Sequence, residues 1–246
     1  MADGIRILHS PTTEEPFLIV DKASGIASAP LRKGDDSTLT RLLPDFPEIA
    51  GVRGRKTVEG GLVHRLDTET SGLLLIATSQ AFYELIISEQ EAGRFVKTYS
   101  AECDDMRFLP LLDGFPPCPP MQSFSDDGKL SIAVESRFRP WGLHGRSVRP
   151  VTEASGPAAQ KKASPGLYRT EIVVEPNRGG TGNAHAKCRI TRGYRHQVRC
   201  HLAWLGFPVK GDVLYNSSFG HSGGGNGSLC FRATGLDFLH LSFRLN

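Results

Sequence analysis

The chain lacks most of the features that would place it in a specialised class. No apolar run approaches the roughly 20 residues of a membrane span, so a helical membrane protein is excluded. The opening Met1-Ala2-Asp3-Gly4-Ile5-Arg6 lacks the basic-then-apolar layout of a secretory signal, which makes the cytoplasm the expected home. The five cysteines (Cys103, Cys118, Cys188, Cys200, Cys230) contain no C-x-x-C pair. An odd, scattered set suits free thiols in a reducing compartment and argues against a disulfide framework. The glycines make no phosphate loop, because Gly51-Val52-Arg53-Gly54-Arg55-Lys56 has neither its spacing nor its Ser/Thr. No internal repeat and no convincing linker divides the chain. Charge of one sign is also scarce: 29 Lys and Arg against 26 Asp and Glu leave a net +3. That balance is compatible with an RNA partner, but its meaning depends on where the charge lies.

What the chain has is an ordinary globular composition, 39% hydrophobic and 22% charged over 246 residues, long enough to bury a core. Apolar runs predict strands at Pro16–Asp21, Gly60–Leu66, Leu73–Thr78, Phe95–Cys103, Ile132–Phe138, Tyr168–Val174 and Ala184–Thr191, with a strand pair from Leu229 to Arg244. Helical spacing predicts helices at Ser37–Leu43, from a Ser79 cap to Glu91, and at Gly193–Leu205. Asp104–Met121 is a Pro-rich loop, Glu153–Ser164 a polar loop, and Gly220–Ser228 a flexible Gly/Ser/Asn tip. Several strands with few helices between them, in no regular alternation, argue for an α+β fold with a mixed, largely antiparallel sheet. A single domain is expected.

Three segments carry chemistry. In His64-Arg65-Leu66-Asp67-Thr68-Glu69-Thr70-Ser71-Gly72, followed by the apolar run Leu73–Ala77, one carboxylate sits at the mouth of a buried strand with an arginine two residues before it. That is a place for a nucleophile or base; the bland alternative is a surface turn between strands. In Phe95–Ala101, alternation puts Lys97 and Tyr99 on one strand face. There a phenol either lines a pocket, stacking on a base and using its hydroxyl, or is an amphipathic core residue. In Arg189–Asp212, Arg192, Arg195 and Arg199 fall on one side of the predicted helix, either as a solvated basic edge or as guanidinium groups offered to phosphate and carboxylate. Arg199, at the inner boundary, is the natural partner of a buried aspartate, which it would keep ionised and aimed.

Two other chemistries have residues of the right type in the chain. His185, Cys188, His196, Cys200 and His201 suggest a zinc site, but they are irregularly mixed and crowded by Lys187, Arg189, Arg195 and Arg199, so no metal is expected. A glycosidase-like carboxylate pair, Asp67 with Glu69, stays open.

Taken together, H-R-L-D-x-x-T-S-G-L-L-L from His64, K-x-Y from Lys97, and H-Q-V-R-x-H-L from His196 with G-x-P-V-x-G-D from Gly206 resemble the signature set of the RluA-type pseudouridine synthases. Lys22–Gly25 (K-x-x-G) and Arg137–Gly142 (R-F-R-P-W-G) also resemble family segments, so the likeness runs from about Ile19 to Phe238. It implies the family's α+β catalytic fold with an RNA-binding cleft, without the accessory N-terminal RNA-binding domain that many relatives carry. It implies Asp67 as the essential aspartate, Tyr99 against the uracil, and Arg199 paired with Asp67. Arg65 would sit beside the flipped nucleotide, and Lys97, Arg192, Arg195, His196 and Gln197 would contact RNA. The activity implied is isomerisation of a uridine to pseudouridine in ribosomal or transfer RNA, with no cofactor, by a monomer. The alternative is a non-catalytic RNA-binding or RNA-folding protein on the same scaffold.

Two positions depart from the family pattern. The usual G-R-T-H-Q or G-R-S-H-Q reads Gly193-Tyr194-Arg195-His196-Gln197, which moves the arginine about 100° around a helix. The usual Asn-Lys-Pro-x-Gly reads Asp21-Lys22-Ala23-Ser24-Gly25, without its proline.

Overall fold

The computed structural model describes residues 4–32, 34–121, 124–176, 182–217 and 228–245; the expected tip Gly220–Ser228 lies outside them except for Ser228. In chain order the elements are β1 (Ile5–His9), β2 (Phe17–Lys22), α1 (Thr38–Leu42), β3 (Ser71–Ala77), α2 (Gln80–Glu91), β4 (Val96–Asp104), β5 (Leu130–Trp141), β6 (Ser147–Val151), α3 (Pro157–Lys161), β7 (Tyr168–Pro176), β8 (Asn183–Ile190), α4 (Gln197–Trp204), β9 (Phe231–Phe238) and β10 (Leu241–Arg244). Strands predominate over short helices, and the fold is α+β with parallel and antiparallel pairings. The chain divides into two compact units, one of Met1–Lys97 with Arg232–Asn246, the other of Thr98–Phe231.

In the first unit the strands run β1-β2-β3-β9, with β10 on β9. All neighbours pair antiparallel except β3 and β9, which are parallel through Ser71–Arg232 and Gly72–Ala233. Leu73 to Ala77 are all fully buried, so β3 is covered on both faces and reads as an unbroken apolar run. Leu73, Leu75 and Ala77 join Phe17, Ile19, Phe82, Ile86, Phe95 and Phe238 in one core cluster. The α2 helix that supplies Phe82 and Ile86 starts as expected, with the Ser79 hydroxyl accepting from the Phe82 N–H at 3.2 Å.

The expected strand Gly60–Leu66 does not form. Only Leu62 makes an isolated bridge, to Ile76. The Gly61 carbonyl accepts from the Ala77 N–H at 2.8 Å, but beyond Leu62 side chains take over: the Val63 carbonyl accepts from Gln90 Nε2 at 2.7 Å, and the Leu66 N–H donates to Ser28 Oγ at 3.0 Å. With those groups taken by side chains, no ladder continues past Leu62.

In the second unit the order is β4-β8-β7-β5-β6, with β5/β6, β5/β7 and β7/β8 antiparallel. Strand β6, Ser147-Val148-Arg149-Pro150-Val151, was not expected, because an arginine and a proline hide an element buried at every position. The Arg149 guanidinium is accommodated by aromatic rings, 4.6 Å from the Phe115 centroid, while its Nε donates to the Asp113 carbonyl at 2.7 Å. The same contact pins the Pro-rich loop, which has no regular structure but is tied down again where Trp204 Nε1 donates to the Pro116 carbonyl at 3.0 Å. The polar loop Glu153–Ser164 holds the short helix α3.

The expected helix Gly193–Leu205 is shorter at its start. His196 takes a left-handed φ of 54° at the cap, so α4 begins at Gln197. Arg192 and Arg195 therefore precede the helix, and the expected stripe of three arginines on one helix face does not exist.

Gly72 has φ of 113°, and a Cβ there would lie 2.1 Å from the Ala233 carbonyl oxygen of the parallel neighbour. Gly72→Ala should therefore cost at least about 3 kcal/mol, or roughly 6–12 °C in Tm, measured by thermal unfolding. A variant as stable as the parent would show that β3 and β9 can separate without penalty.

Candidate active site

The residues nominated above fall into both units. Asp67, Arg65 and Lys97 belong to the first; Tyr99, Arg192, Arg195, His196, Gln197 and Arg199 belong to the second.

Around Asp67 the chain is tied down peptide by peptide. Before it, Ser28 Oγ donates to the Leu66 carbonyl at 2.8 Å and accepts from the Leu66 N–H. After it, the Thr68 carbonyl accepts from the Gly25 N–H at 2.9 Å and from Lys22 Nζ at 3.1 Å. Ser24 Oγ then donates to the Glu69 carbonyl at 2.8 Å, and the Thr70 N–H closes the turn on the Asp67 carbonyl at 3.0 Å. His64 anchors the entry, its Nε2 accepting from the Leu75 N–H at 3.1 Å. That bond places the imidazole proton on Nδ1. Burial drives the His64 pKa down to about 3, with the Lys97 ammonium acting in the same direction, so the ring is neutral. The result is a carboxylate-bearing turn whose backbone cannot drift.

Lys22 is the hub of this arrangement. Fully buried, its ammonium donates to the carbonyls of Ala23, Ile26 and Thr68 at 2.9, 2.7 and 3.1 Å. Burial lowers its pKa to about 8, against the pull of the Asp67 and Glu69 carboxylates. The missing proline also has an explanation here: the Ala23 N–H donates to the Gly4 carbonyl at 2.8 Å, a bond proline cannot make.

Arg65 is half-exposed and paired with the buried Glu59, Nη1 to Oε1, at 2.9 Å. Lys97 is buried, not a surface contact, with its ammonium 4.8 Å from the Phe95 ring centroid. Desolvation, with Arg55 adding repulsion, brings its pKa to about 7.

In the second unit Tyr99 is buried and stacked on Phe231, with centroids 5.2 Å apart and planes 9° from parallel. Arg199 makes a bidentate pair with the fully buried Asp212, Nε to Oδ2 and Nη2 to Oδ1, both 2.7 Å. Sequence reasoning did not nominate Asp212, although it closes the G-x-P-V-x-G-D segment and a buried guanidinium requires an acceptor.

The other expected RNA contacts separate. Gln197 is buried, and its amide bonds the Tyr194 N–H, the Arg169 carbonyl and Thr170 Oγ1. Both of its N–H donors are used inside the fold, which corrects its assignment as an RNA contact. His196 Nδ1 lies 3.2 Å from Tyr215 Oη. Arg192 is exposed, with its guanidinium 5.1 Å from the Tyr168 ring centroid. Arg195 is exposed and donates to the Gly145 and Ser147 carbonyls. The departure at Tyr194 follows, because its ring stacks on Phe138 at 5.0 Å and completes the core cluster there.

The His and Cys residues of the zinc reading are dispersed. His185 bonds Ser100, His201 bonds Ser136 and Thr170, and Cys188 and Cys200 are buried thiols whose pKa burial pushes up. Among the described residues no helix is long and apolar enough to cross a membrane.

The sequence profile described as RNA pseudouridylate synthase matches residues 16–204, which include the Asp67 turn, β4 and α4. The chain belongs to the RNA pseudouridylate synthase family. Curated relatives in this family include the ribosomal large subunit pseudouridine synthase D of Zymomonas mobilis, 26% identical over 94% of this chain and 62% of that protein. The protein of the same name from Pseudomonas aeruginosa is 27% identical over 84% of this chain and 52% of its own length. The chain thus spans between half and two thirds of these relatives. The solved structure of human RNA pseudouridylate synthase domain containing 1 has the same fold, with a TM-score of 0.65 at 19% identity, covering 100% of this chain and 83% of that one.

The Lys97 environment in this family member has a measurable consequence. Its folded pKa of about 7 lies below the ordinary lysine value of 10.5 that the unfolded chain recovers. Between those values the unfolded chain binds more protons, so stability from this source rises with pH from about 7 to 10.5 and the penalty is complete below 7. In urea unfolding, Lys97→Met should gain stability over the wild type at pH 6, and the gain should shrink steadily towards pH 10. A difference independent of pH would mean the ammonium is not desolvated.

Proposed function

We propose that the chain isomerises a uridine to pseudouridine in RNA, with Asp67 as the catalytic carboxylate. The observation that carries this is the turn at Asp67, in which the peptides on both sides are held by Lys22, Ser24, Gly25 and Ser28. A surface turn between strands has no need of that fixation, whereas a carboxylate that must meet one sugar carbon does.

In the proposed reaction the C1′–N1 bond of the uridine breaks, the uracil turns, a C1′–C5 bond forms, and the C5 proton leaves to solvent as N1 gains one. Reactant and product are isomers, so no redox partner or activated group is consumed. The target leaves its stack first, because its reacting atoms are inaccessible inside a helix. Asp67 acts as nucleophile at C1′ or as base towards the C2′ proton; both routes need it ionised. Arg199, buried and already bidentate with Asp212, is the proposed partner that keeps it so. Tyr99 supplies a ring against the uracil, or its hydroxyl for the proton at C5. In this reading Arg65 enters the space the flipped base leaves, and Arg192 and His196 contact the RNA backbone. The names of the two bacterial relatives favour ribosomal over transfer RNA as substrate.

Tritium release from RNA transcribed with C5-labelled uridine tests the reading. The wild type should release label from ribosomal RNA, and Asp67→Ala should release none while its RNA affinity stays within about threefold. Turnover by Asp67→Ala would refute the assignment. Binding without release from ribosomal or transfer RNA would favour an RNA-binding or RNA-folding protein. Arg199→Ala should lose activity together with about 3–5 kcal/mol of stability, since it strands Asp212.

A further inference from the structure

The second unit contains a cavity of about 530 Å³ that none of the roles above uses, lined by Arg139, Pro140, Trp141, Gly142, Gly145 and Lys162. Its volume falls in the range of roughly 300–1,000 Å³ typical of small-ligand sites. It sits at the turn between β5 and β6, which is tightly specified. Gly142, His144 and Gly145 all have positive φ, at 77°, 52° and 66°, and the two glycines leave wall positions without side chains. Ser147 Oγ donates to the Trp141 carbonyl at 3.2 Å, and Arg195 holds the Gly145 and Ser147 carbonyls from outside.

The lining has one kind of chemistry. Two of the six lining residues are cations, one carries an indole, and none is a carboxylate. The indole is fixed in place, since a Cβ on Gly114 would come within 2.7 Å of its ring. The Arg139 guanidinium lies 4.4 Å from the Trp141 ring centroid, so the two form a cation–π layer. One Nη of Arg139 donates to the Gly114 carbonyl at 3.2 Å, but its Nε is buried and has no hydrogen-bond partner among the described residues. Lys162, exposed at the end of α3, has no ion-pair partner among the described residues. A metal ion would find no ligand here. A bare anion would leave the indole unused, and an apolar ligand would leave both cations unused. A group that is anionic at one end and flat and aromatic at the other uses all three.

We propose that this cavity is an RNA subsite that takes one unpaired nucleotide of the substrate strand, its base on the Trp141–Arg139 layer and its phosphate at Lys162 and the Arg139 guanidinium. The inference rests on the RNA reading above. It requires an unpaired nucleotide, because a base inside a duplex has no open face to stack. It also gives Arg195 a role that an arginine bonded to two carbonyls can fill: bracing the turn that shapes the subsite.

The chain has two tryptophans, and the other, Trp204, is buried with its indole N–H donated to the Pro116 carbonyl. Stacking in the cavity should therefore quench Trp141. Hexauridylate RNA should quench the wild-type fluorescence, and the quench should vanish in Trp141→Phe. By anisotropy of labelled hexauridylate, Trp141→Ala should bind at least about fivefold more weakly. Lys162→Gln, a surface change, should keep the wild-type Tm and lower the slope of log affinity against log salt by about 0.7. Uridine 5′-monophosphate should quench more weakly than hexauridylate if the strand is the ligand; equal affinity would make this a free-nucleotide site and overturn the proposal. Inorganic phosphate or polyglutamate displacing the RNA as well as the nucleotide does would mark a simple anion site and also overturn it. Wild-type binding by both Trp141→Ala and Lys162→Gln, with tritium still released by the wild type, would sink the subsite alone. Loss of hexauridylate binding in the variants, with no tritium released from any RNA, would sink the isomerase reading and leave the subsite standing.

Discussion

A charged group with no water around it has to be solvated by the protein, and at Lys22 that requirement organises the Asp67 turn. The ammonium is fully buried and bonded to three backbone carbonyls that belong to two separate stretches, Ala23 and Ile26 on one, Thr68 on the other. Leaving any of these donors or carbonyls unpaired in the interior would cost about 1–3 kcal/mol each, so the two stretches stay together. Ser28 and Ser24 extend the seam to Leu66 and Glu69. Those bonds to the neighbouring peptides fix where Asp67 stands. Desolvation makes the arrangement sensitive to charge, because a lysine whose pKa is near 8 is held ionised partly by Asp67 and Glu69.

The second unit uses arginine in the same way. Arg199 closes on Asp212, Arg149 lies among aromatic rings with its Nε on the Asp113 carbonyl, and Arg195 holds the turn between β5 and β6. A guanidinium stacks on rings and reaches several carbonyls at once, so it can staple loops that contain too many prolines to form a ladder. The Pro-rich loop from Asp104 to Met121 is ordered by such contacts despite having no secondary structure. Counting basic residues therefore overstates how many face a polyanion, and Gln197 shows the same for a neutral polar group.

Much of the architecture was legible in the chain. The unbroken apolar run of β3, the Ser79 cap of α2 and the alternation of β7 and β8 are local signals, and each appears within a residue or two of where it is read. The failures share a cause. Strand β6 is hidden because Arg149 and Pro150 look like loop residues until the aromatic rings that receive the guanidinium are brought to it. The segment Gly60–Leu66 looks like a strand because its apolar residues are buried, yet side chains distant in sequence take the backbone bonds of Val63 and Leu66. The start of α4 was misplaced because His196 adopts a left-handed conformation that no local rule assigns to it.

The candidate site divides along the same line. From the order of residue types alone came the family, the α+β class and the nomination of Asp67, Tyr99 and Arg199, because spacing within a motif is a property of the chain. Only the tertiary structure decided which polar groups remain available for chemistry: that Lys22 holds the peptide after Asp67, that Asp212 engages Arg199, and that Gln197 is spent inside the fold. The physical reason is that a hydrogen-bond donor has a limited number of bonds, and partners 28 or 46 residues away cannot be read from the neighbours of a residue in sequence.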